Sequence, residues 1–240
     1  MTVQFLSAGD TAMVVQFGQV IDRVLSDQVL ALSRRIRALS IPGVVDLVPT
    51  FRSLLINYDP TQVRGADLQA TLEGLLESGD TEAQAVRQWS VPVCYDGEYA
   101  PDLQEVAQTA GLSADEVVQL HTDTQFHVYM IGFVPGYPYM GDLPKSLVLP
   151  RRSNPRTRVP PGSVAIASTM TAVYPIESPG GWHLIGATPI RLFDTRLEAP
   201  ALFKPGDKVR FKPVAAAEYQ RIREAVQADE YEVQCEKVMV

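Results

Sequence analysis

Leu25, Val29, Leu32, Ile36 and Leu39 recur at alternating steps of four and three, a spacing that puts their side chains on one face of an α-helix. Before them, the apolar run Ala12–Phe17 follows a Gly9-Asp10 turn and predicts a short strand. Pro42-Gly43 stops the helix. Val44–Val48 and Ser53–Tyr58 read as two strands joined by the short Pro49–Arg52 connection, with Asp59-Pro60 ending the second. Leu68, Leu72, Leu75 and Leu76 mark the inward face of a second helix near Ala66–Glu77, with Gly79-Asp80 as its exit. The β-rich run Val86–Val93 then completes the order β-α-β-β-α-β. That order predicts a small ferredoxin-like α/β domain over residues 1–84.

The polar stretch Ser78–Gln84 is short enough to serve as a hinge, and beyond Tyr95 the pattern changes. Leu103, Val106, Ala107 and Ala110 predict a helix ended by Gly111. Ser113 with Glu116 three residues on forms a capping-box pattern, opening a helix that reaches about His121. From Thr124 onward, short apolar runs alternate with turn residues: Gln125–Phe133, Leu147–Leu149, Ser163–Ile166, Ala172–Ile176, Trp182–Thr188, Ile190–Phe193 and Lys208–Pro213. Such spacing predicts a β-barrel or sandwich rather than alternating βαβ units. A helix near Ala216–Gln227 and a strand at Tyr231–Val238 close the chain. The class is α+β, with a second domain over residues 85–240.

Composition narrows the functions open to this chain. Its 240 residues suffice for one large or two modest cores, and 46% apolar with 20% charged residues is ordinary for a soluble globular protein. A formal net charge of -7 argues against bulk nucleic-acid binding, which needs a basic face. The two cysteines, Cys94 and Cys235, have no CxxC spacing. There is no basic segment leading into an apolar run at the N-terminus, and no apolar stretch nears the roughly 20 residues that span a bilayer. A cytoplasmic, soluble protein is the expectation.

Standard catalytic signatures are missing. His121, His127 and His183 lack the paired spacing of a zinc site, so no metal is expected, and the chain has no phosphate-binding loop, nucleophile elbow or dinucleotide fingerprint. The positive signal is a cluster of four arginines, Arg151, Arg152, Arg156 and Arg158, set among prolines and glycines. It reads either as solvated surface charge or as a fixed anion site. Arg151 and Arg156 each follow a proline, which stiffens the approach to the guanidinium and suits them to binding carboxylate or phosphate. Arg152 and Arg158 have Asp142, Glu177 and Asp194 as acidic candidates for pairing. Phe133, Tyr137 and Tyr139, in a loop that includes Gly136, either line a pocket or plug one end of the barrel. Gly180 and Gly181 allow a tight turn beside a ligand, with Trp182 as a wall of pocket or core. His183 is a candidate for proton transfer or a structural residue, and His121 near a helix C-terminus favours the local dipole when charged.

These segments carry a resemblance. Gly132-Phe133-x-Pro135-Gly136-Tyr137-Pro138-Tyr139, Pro150-Arg151-Arg152, Pro155-Arg156-x-Arg158-Val159-Pro160-x-Gly162-Ser163-Val164-Ala165-Ile166 and Ser178-Pro179-Gly180-Gly181-Trp182 resemble the signature of the KipI / allophanate hydrolase subunit 1 family. Gly43–Pro49, Arg52–Leu55 and Tyr58-Asp59-Pro60 resemble its N-terminal half. The resemblance implies a small α/β domain followed by a cyclophilin-like β-barrel, and a paired, related subunit. In bacterial 5-oxoprolinase, such a pair joins a third protein to open 5-oxoproline to glutamate using ATP. With no phosphate-binding loop in this chain, ATP is expected at an interface with the partner subunit. Other relatives belong to biotin-dependent urea carboxylase, and one inhibits a histidine kinase. Where the family carries an amide and a glycine before Tyr174-Pro175, this chain has Met170 and Ala172. Ala187 stands where an arginine is usual. These differences bear on the substrate rather than on the fold.

Overall fold

A computed structural model describes residues 3–77 and 85–239. The chain divides into two compact units, Met1–Ala83 and Gln84–Val240. The proposed hinge Ser78–Gln84 lies outside the described residues.

In the first unit, β1 (Gln4–Ser7), β2 (Ala12–Gln16), β3 (Val44–Pro49) and β4 (Ser53–Tyr58) form an antiparallel sheet in the order β1-β2-β4-β3. Helix α1 (Arg23–Leu39) starts where the Asp22 carboxylate accepts from the backbone N–H groups of Val24 and Leu25, at 2.8 and 3.3 Å. It buries Leu25, Val29, Leu32 and Ile36, whereas Leu39, the last position of the predicted face, is exposed at the helix end. Helix α2 (Gly65–Glu77) buries Leu68 and Leu72, with Leu75 and Leu76 packed at the edge of the same core.

The ferredoxin-like order is corrected here. The elements of residues 4–77 run β-β-α-β-β-α, and the strand over Val86–Val93 takes no part in this sheet. Its place is filled by β1, which pairs with β2 through the Gly9-Asp10 turn. Four mostly exposed residues leave almost no periodic signal, so β1 escapes a reading based on apolar spacing. Sequence order alone also cannot assign a strand to one of two sheets, because ladder hydrogen bonds are made by backbone common to every residue.

In the second unit, β5 (Ala85–Val93) enters a larger sheet. Its other strands are β6 (Phe126–Ile131), β7 (Pro138–Gly141), β9 (Ser163–Ala167), β10 (Met170–Val173), β12 (His183–Ala187), β13 (Lys208–Pro213) and β14 (Gln234–Met239). The order is β12-β9-β10-β7-β6-β13-β5-β14; only β13 and β5 run parallel, so the sheet is mixed. The expected closed barrel does not follow from these ladders, which form an open order. One isolated antiparallel bridge, Cys94 to Ala187, links the residue after β5 to the end of β12, with hydrogen bonds of 2.8 and 2.9 Å.

Helices α3 (Leu103–Ala110), α4 (Ala114–Asp123) and α5 (Ala216–Gln227) complete the unit. The capping box of α4 is present: the Ser113 hydroxyl accepts from Glu116 N–H at 3.2 Å, and the Glu116 carboxylate accepts from Ser113 N–H at 2.7 Å. The core gathers Phe126, Val128, Val164, Ile166, Ile185 and Phe211 with the inner faces of α3 and α4. Leu147–Leu149 and Ile190–Phe193 are not strands. The first holds the end of a 3-10 turn and one bridge from Leu149 to Ser168, and the second has one bridge from Phe193 to Ala201. Among the described residues, no helix is long and apolar enough to cross a membrane.

Candidate active site

A separate two-stranded pairing, β8 (Arg156–Val159) with β11 (Ser178–Gly180), brings the arginine segment beside the Pro179–Trp182 turn. The buried carboxylate of Asp102, just before α3, organises this region. It accepts from Arg156 Nη1 and Nη2 at 2.9 and 2.7 Å, from Arg152 Nη1 at 3.1 Å and from Leu184 N–H at 2.7 Å. Burial alone would raise its pKa. The hydrogen bonds from Arg156 and Leu184, with the charges of Arg156 and Arg152, outweigh that and hold it below the usual carboxylate value.

Arg152 also reaches Glu105 at 3.0 Å, and exposed Arg158 pairs with Glu177 at 3.0 and 2.9 Å. Arg151 differs from all three. It is exposed and makes no hydrogen bond or ion pair among the described residues. Its backbone, by contrast, is tied on both sides: Arg152 N–H donates to the Gly181 carbonyl at 2.8 Å, and His183 Nε2 donates to the Pro150 carbonyl at 2.9 Å.

Next to Arg151 lies a cluster of aromatic rings. Tyr137 is centred 5.0 Å from Tyr139, 5.1 Å from Tyr174 and 6.3 Å from Trp182, while Tyr139 and Trp182 are 6.0 Å apart. Tyr137 and Tyr174 are buried, Tyr139 is half-buried, and Phe133 stands out at the rim, 60% exposed. Burial raises the pKa of all three tyrosines, most strongly for Tyr137, whose hydroxyl donates to Tyr174; the Arg151 charge opposes the rise in each case. At neutral pH these phenols are protonated and act as hydrogen-bond donors, not bases.

Two glycines shape this cluster. Gly136 has φ 78°, in the left-handed region, and a Cβ there would lie 2.8 Å from Phe193 Cβ. A Cβ on Gly180 would collide with the Tyr174 hydroxyl. Gly181 has more room, its nearest neighbour being Pro155 at 3.4 Å.

The predicted residues Arg151, Tyr139, Trp182, Gly180, Gly181 and His183 therefore share one neighbourhood. Gly136 supports it from the Phe193 side, and Arg156 lies beside it with its guanidinium committed to Asp102. Asp102 and Tyr174 are not among the residues singled out by sequence. An aspartate one residue after Pro101 and just before an apolar helical repeat reads as a helix cap, yet Asp102 makes no side-chain capping bond and turns instead to the arginines. Of the acidic residues considered as partners, only Glu177 pairs within the cluster; Asp194 pairs with Arg191 and Arg196.

His121 is corrected. Tyr95 hydroxyl bonds its Nδ1 at 2.8 Å, and its Nε2 donates at 2.9 Å to the Thr171 hydroxyl, which itself donates to the Ala165 carbonyl. Full burial lowers its pKa to about 3, so the ring is neutral and contributes no charge to the helix dipole. Among the described residues, no group of three or more His, Cys, Asp or Glu is placed to hold a metal ion.

A family model for the carboxyltransferase domain, subdomain C and D, matches residues 3–203. The chain belongs to this family. It is 37% identical to the B-type subunit of 5-oxoprolinase from Bacillus subtilis, over 93% of this chain and 99% of that one. The corresponding 5-oxoprolinase chain of Haemophilus influenzae is 46% identical, covering 67% of this chain and 72% of that one. Among solved structures, TTHA0988 matches with a TM-score of 0.76 and 36% identity over 85% of this chain, which spans 40% of that protein. The Kluyveromyces lactis urea amidolyase shares the fold, with a TM-score of 0.81 at 20% identity, over 99% of this chain and 16% of that protein. Membership agrees with the motifs quoted from the two halves of the sequence.

Proposed function

We propose that this chain is the B-type subunit of an ATP-dependent 5-oxoprolinase, acting with a paired related subunit and a third protein. The observation that carries this reading is the identity with the Bacillus subtilis 5-oxoprolinase chain, which runs across nearly the full length of both. The substrate of such an enzyme is a five-membered lactam bearing a carboxylate. Arg151 is the one arginine of its cluster without a partner among the described residues, and it is the group to grip that carboxylate. Tyr139 and Trp182 wall the ring, with Gly136, Gly180 and Gly181 setting the backbone around them. The Tyr139 phenol supplies a donor for a lactam oxygen on which negative charge develops.

A lactam is a poor electrophile. ATP, when bound, would supply a phosphoryl group to activate the lactam oxygen; addition of water at the carbonyl carbon, cleavage of the C–N bond and release of phosphate would give the open amino acid. The sequence has no phosphate-binding loop. In this reading the nucleotide's main contacts come from the partner, with the site shared between subunits. Arg156 is assigned to holding Asp102 rather than substrate. The larger unit is read as a cyclophilin-like barrel, with the Cys94–Ala187 bridge tying end strand β12 to the residue after β5, the strand next to the other end strand β14.

Replacing Arg151 in the reconstituted complex tests the site. R151A should raise KM for 5-oxoproline by about ten- to a hundredfold, the value of one charge-assisted contact, with the melting temperature unchanged. An unchanged KM would return Arg151 to the solvated surface. Substrate-dependent ATP hydrolysis by this chain alone would overturn the shared site.

A further inference from the structure

We infer that His183 is a positioning residue: through the carbonyl of Pro150 it fixes the backbone that presents Arg151 to the substrate carboxylate. This rests on the assignment of Arg151 above and concerns how that assignment is achieved. A carbonyl oxygen only accepts, so the 2.9 Å contact from His183 to Pro150 requires the hydrogen on Nε2. Nδ1 is buried and has no hydrogen-bond partner among the described residues. The ring is 8% exposed. The Nε2–H is directed at the main chain rather than at a substrate.

Pro150 has no N–H of its own, so its carbonyl is the only backbone handle on that residue. On the other side of Arg151, the Arg152 N–H is held by the Gly181 carbonyl at 2.8 Å, while the Arg152 side chain is held by Asp102 and Glu105. Arg151 is thus suspended between two ties that both lead to Gly181–His183. The residue between those anchors is Trp182, whose ring lies 6.0 Å from Tyr139. One three-residue segment therefore sets the arginine and one ring of the aromatic cluster together. The arrangement explains how an exposed arginine, with no side-chain partner among the described residues, is placed reproducibly against a ligand.

The test compares two near-isosteric replacements in the reconstituted complex. Glutamine carries an amide N–H close to the position of Nε2, whereas the shorter asparagine does not reach Pro150. H183N should raise KM for 5-oxoproline about tenfold with kcat nearly unchanged, because a displaced anchor weakens binding of a group remote from the bond that breaks. H183Q should restore KM to near the wild-type value. Adding H183N to R151A should cost nothing further, since the residue being positioned is already gone.

If R151A raises KM and H183N does not, the positioning role is wrong and the Arg151 assignment stands. If R151A leaves KM unchanged, both fall. A loss of kcat at constant KM in both His183 variants would instead put the imidazole in the chemistry. Nitrogen NMR of the histidine-labelled wild-type chain should find the hydrogen on Nε2, and a hydrogen on Nδ1 alone would overturn the tie even where neither variant assembles.

Discussion

Arg156 meets the buried carboxylate of Asp102 with both terminal nitrogens, at 2.9 and 2.7 Å. The pair joins the start of α3 to β8, and Asp102 extends the connection to β12 through Leu184. A substitution here reports on folding before it reports on substrate.

R156A should destabilise the second unit by about 3 kcal/mol, since removing one partner leaves a buried charge only partly compensated by Arg152 and the Leu184 N–H. Both tryptophans, Trp89 and Trp182, lie in that unit, so the midpoint of a urea titration followed by tryptophan fluorescence reads the effect. An unchanged midpoint with collapsed turnover would move Arg156 from the clasp to the substrate.

Acid should weaken the same unit in a defined window. His121 has a folded pKa of about 3, against about 6.5 for an unfolded histidine. The unfolded chain therefore takes up a proton first. The contribution of His121 is complete above about pH 6.5 and falls by about 1.4 kcal/mol per pH unit below it, roughly 2 kcal/mol by pH 5. Asp102, lowered from its ordinary carboxylate value, adds its loss only at still lower pH. H121Q should flatten the slope between pH 6.5 and about 4, and a slope as steep as wild type would show that another group titrates there.

Gly180 tests the packing of the aromatic cluster. G180A should cost about 1–3 kcal/mol because its Cβ enters the space of the Tyr174 hydroxyl. Removing that hydroxyl in the double variant G180A/Y174F should recover part of the loss. Additive losses in the thermal midpoint would mean that the two positions do not compete for the same space.

Limited proteolysis should release a stable C-terminal fragment beginning near residue 85, because the chain divides there into two units, each with its own apolar cluster. Cuts confined to the Arg151–Arg158 segment would count against two independently stable domains.

The helices are legible from spacing alone. Leu25 to Ile36, Leu68 with Leu72, and the Ser113–Glu116 box are local patterns: a helix closes its own hydrogen bonds, so period and caps suffice to locate it. Strands are less so. Val86–Val93 reads as a strand but belongs to the larger sheet rather than the smaller one, while β7, β8 and β11, set among prolines and glycines, carry little alternation to read.

The site divides along the same line. That arginines, aromatic rings and glycines crowd one segment is written in consecutive residues, because stiff Pro-Arg steps and tight glycine turns are local features. Which arginine is left over depends on the folded chain. Asp102 stands 54 residues before Arg156, and its buried carboxylate takes Arg156 and Arg152 from the cluster, leaving Arg151 exposed. The reason is that charge pairing depends on distance through space, and a carboxylate remote in sequence leaves no periodic trace by which its partner can be recognised.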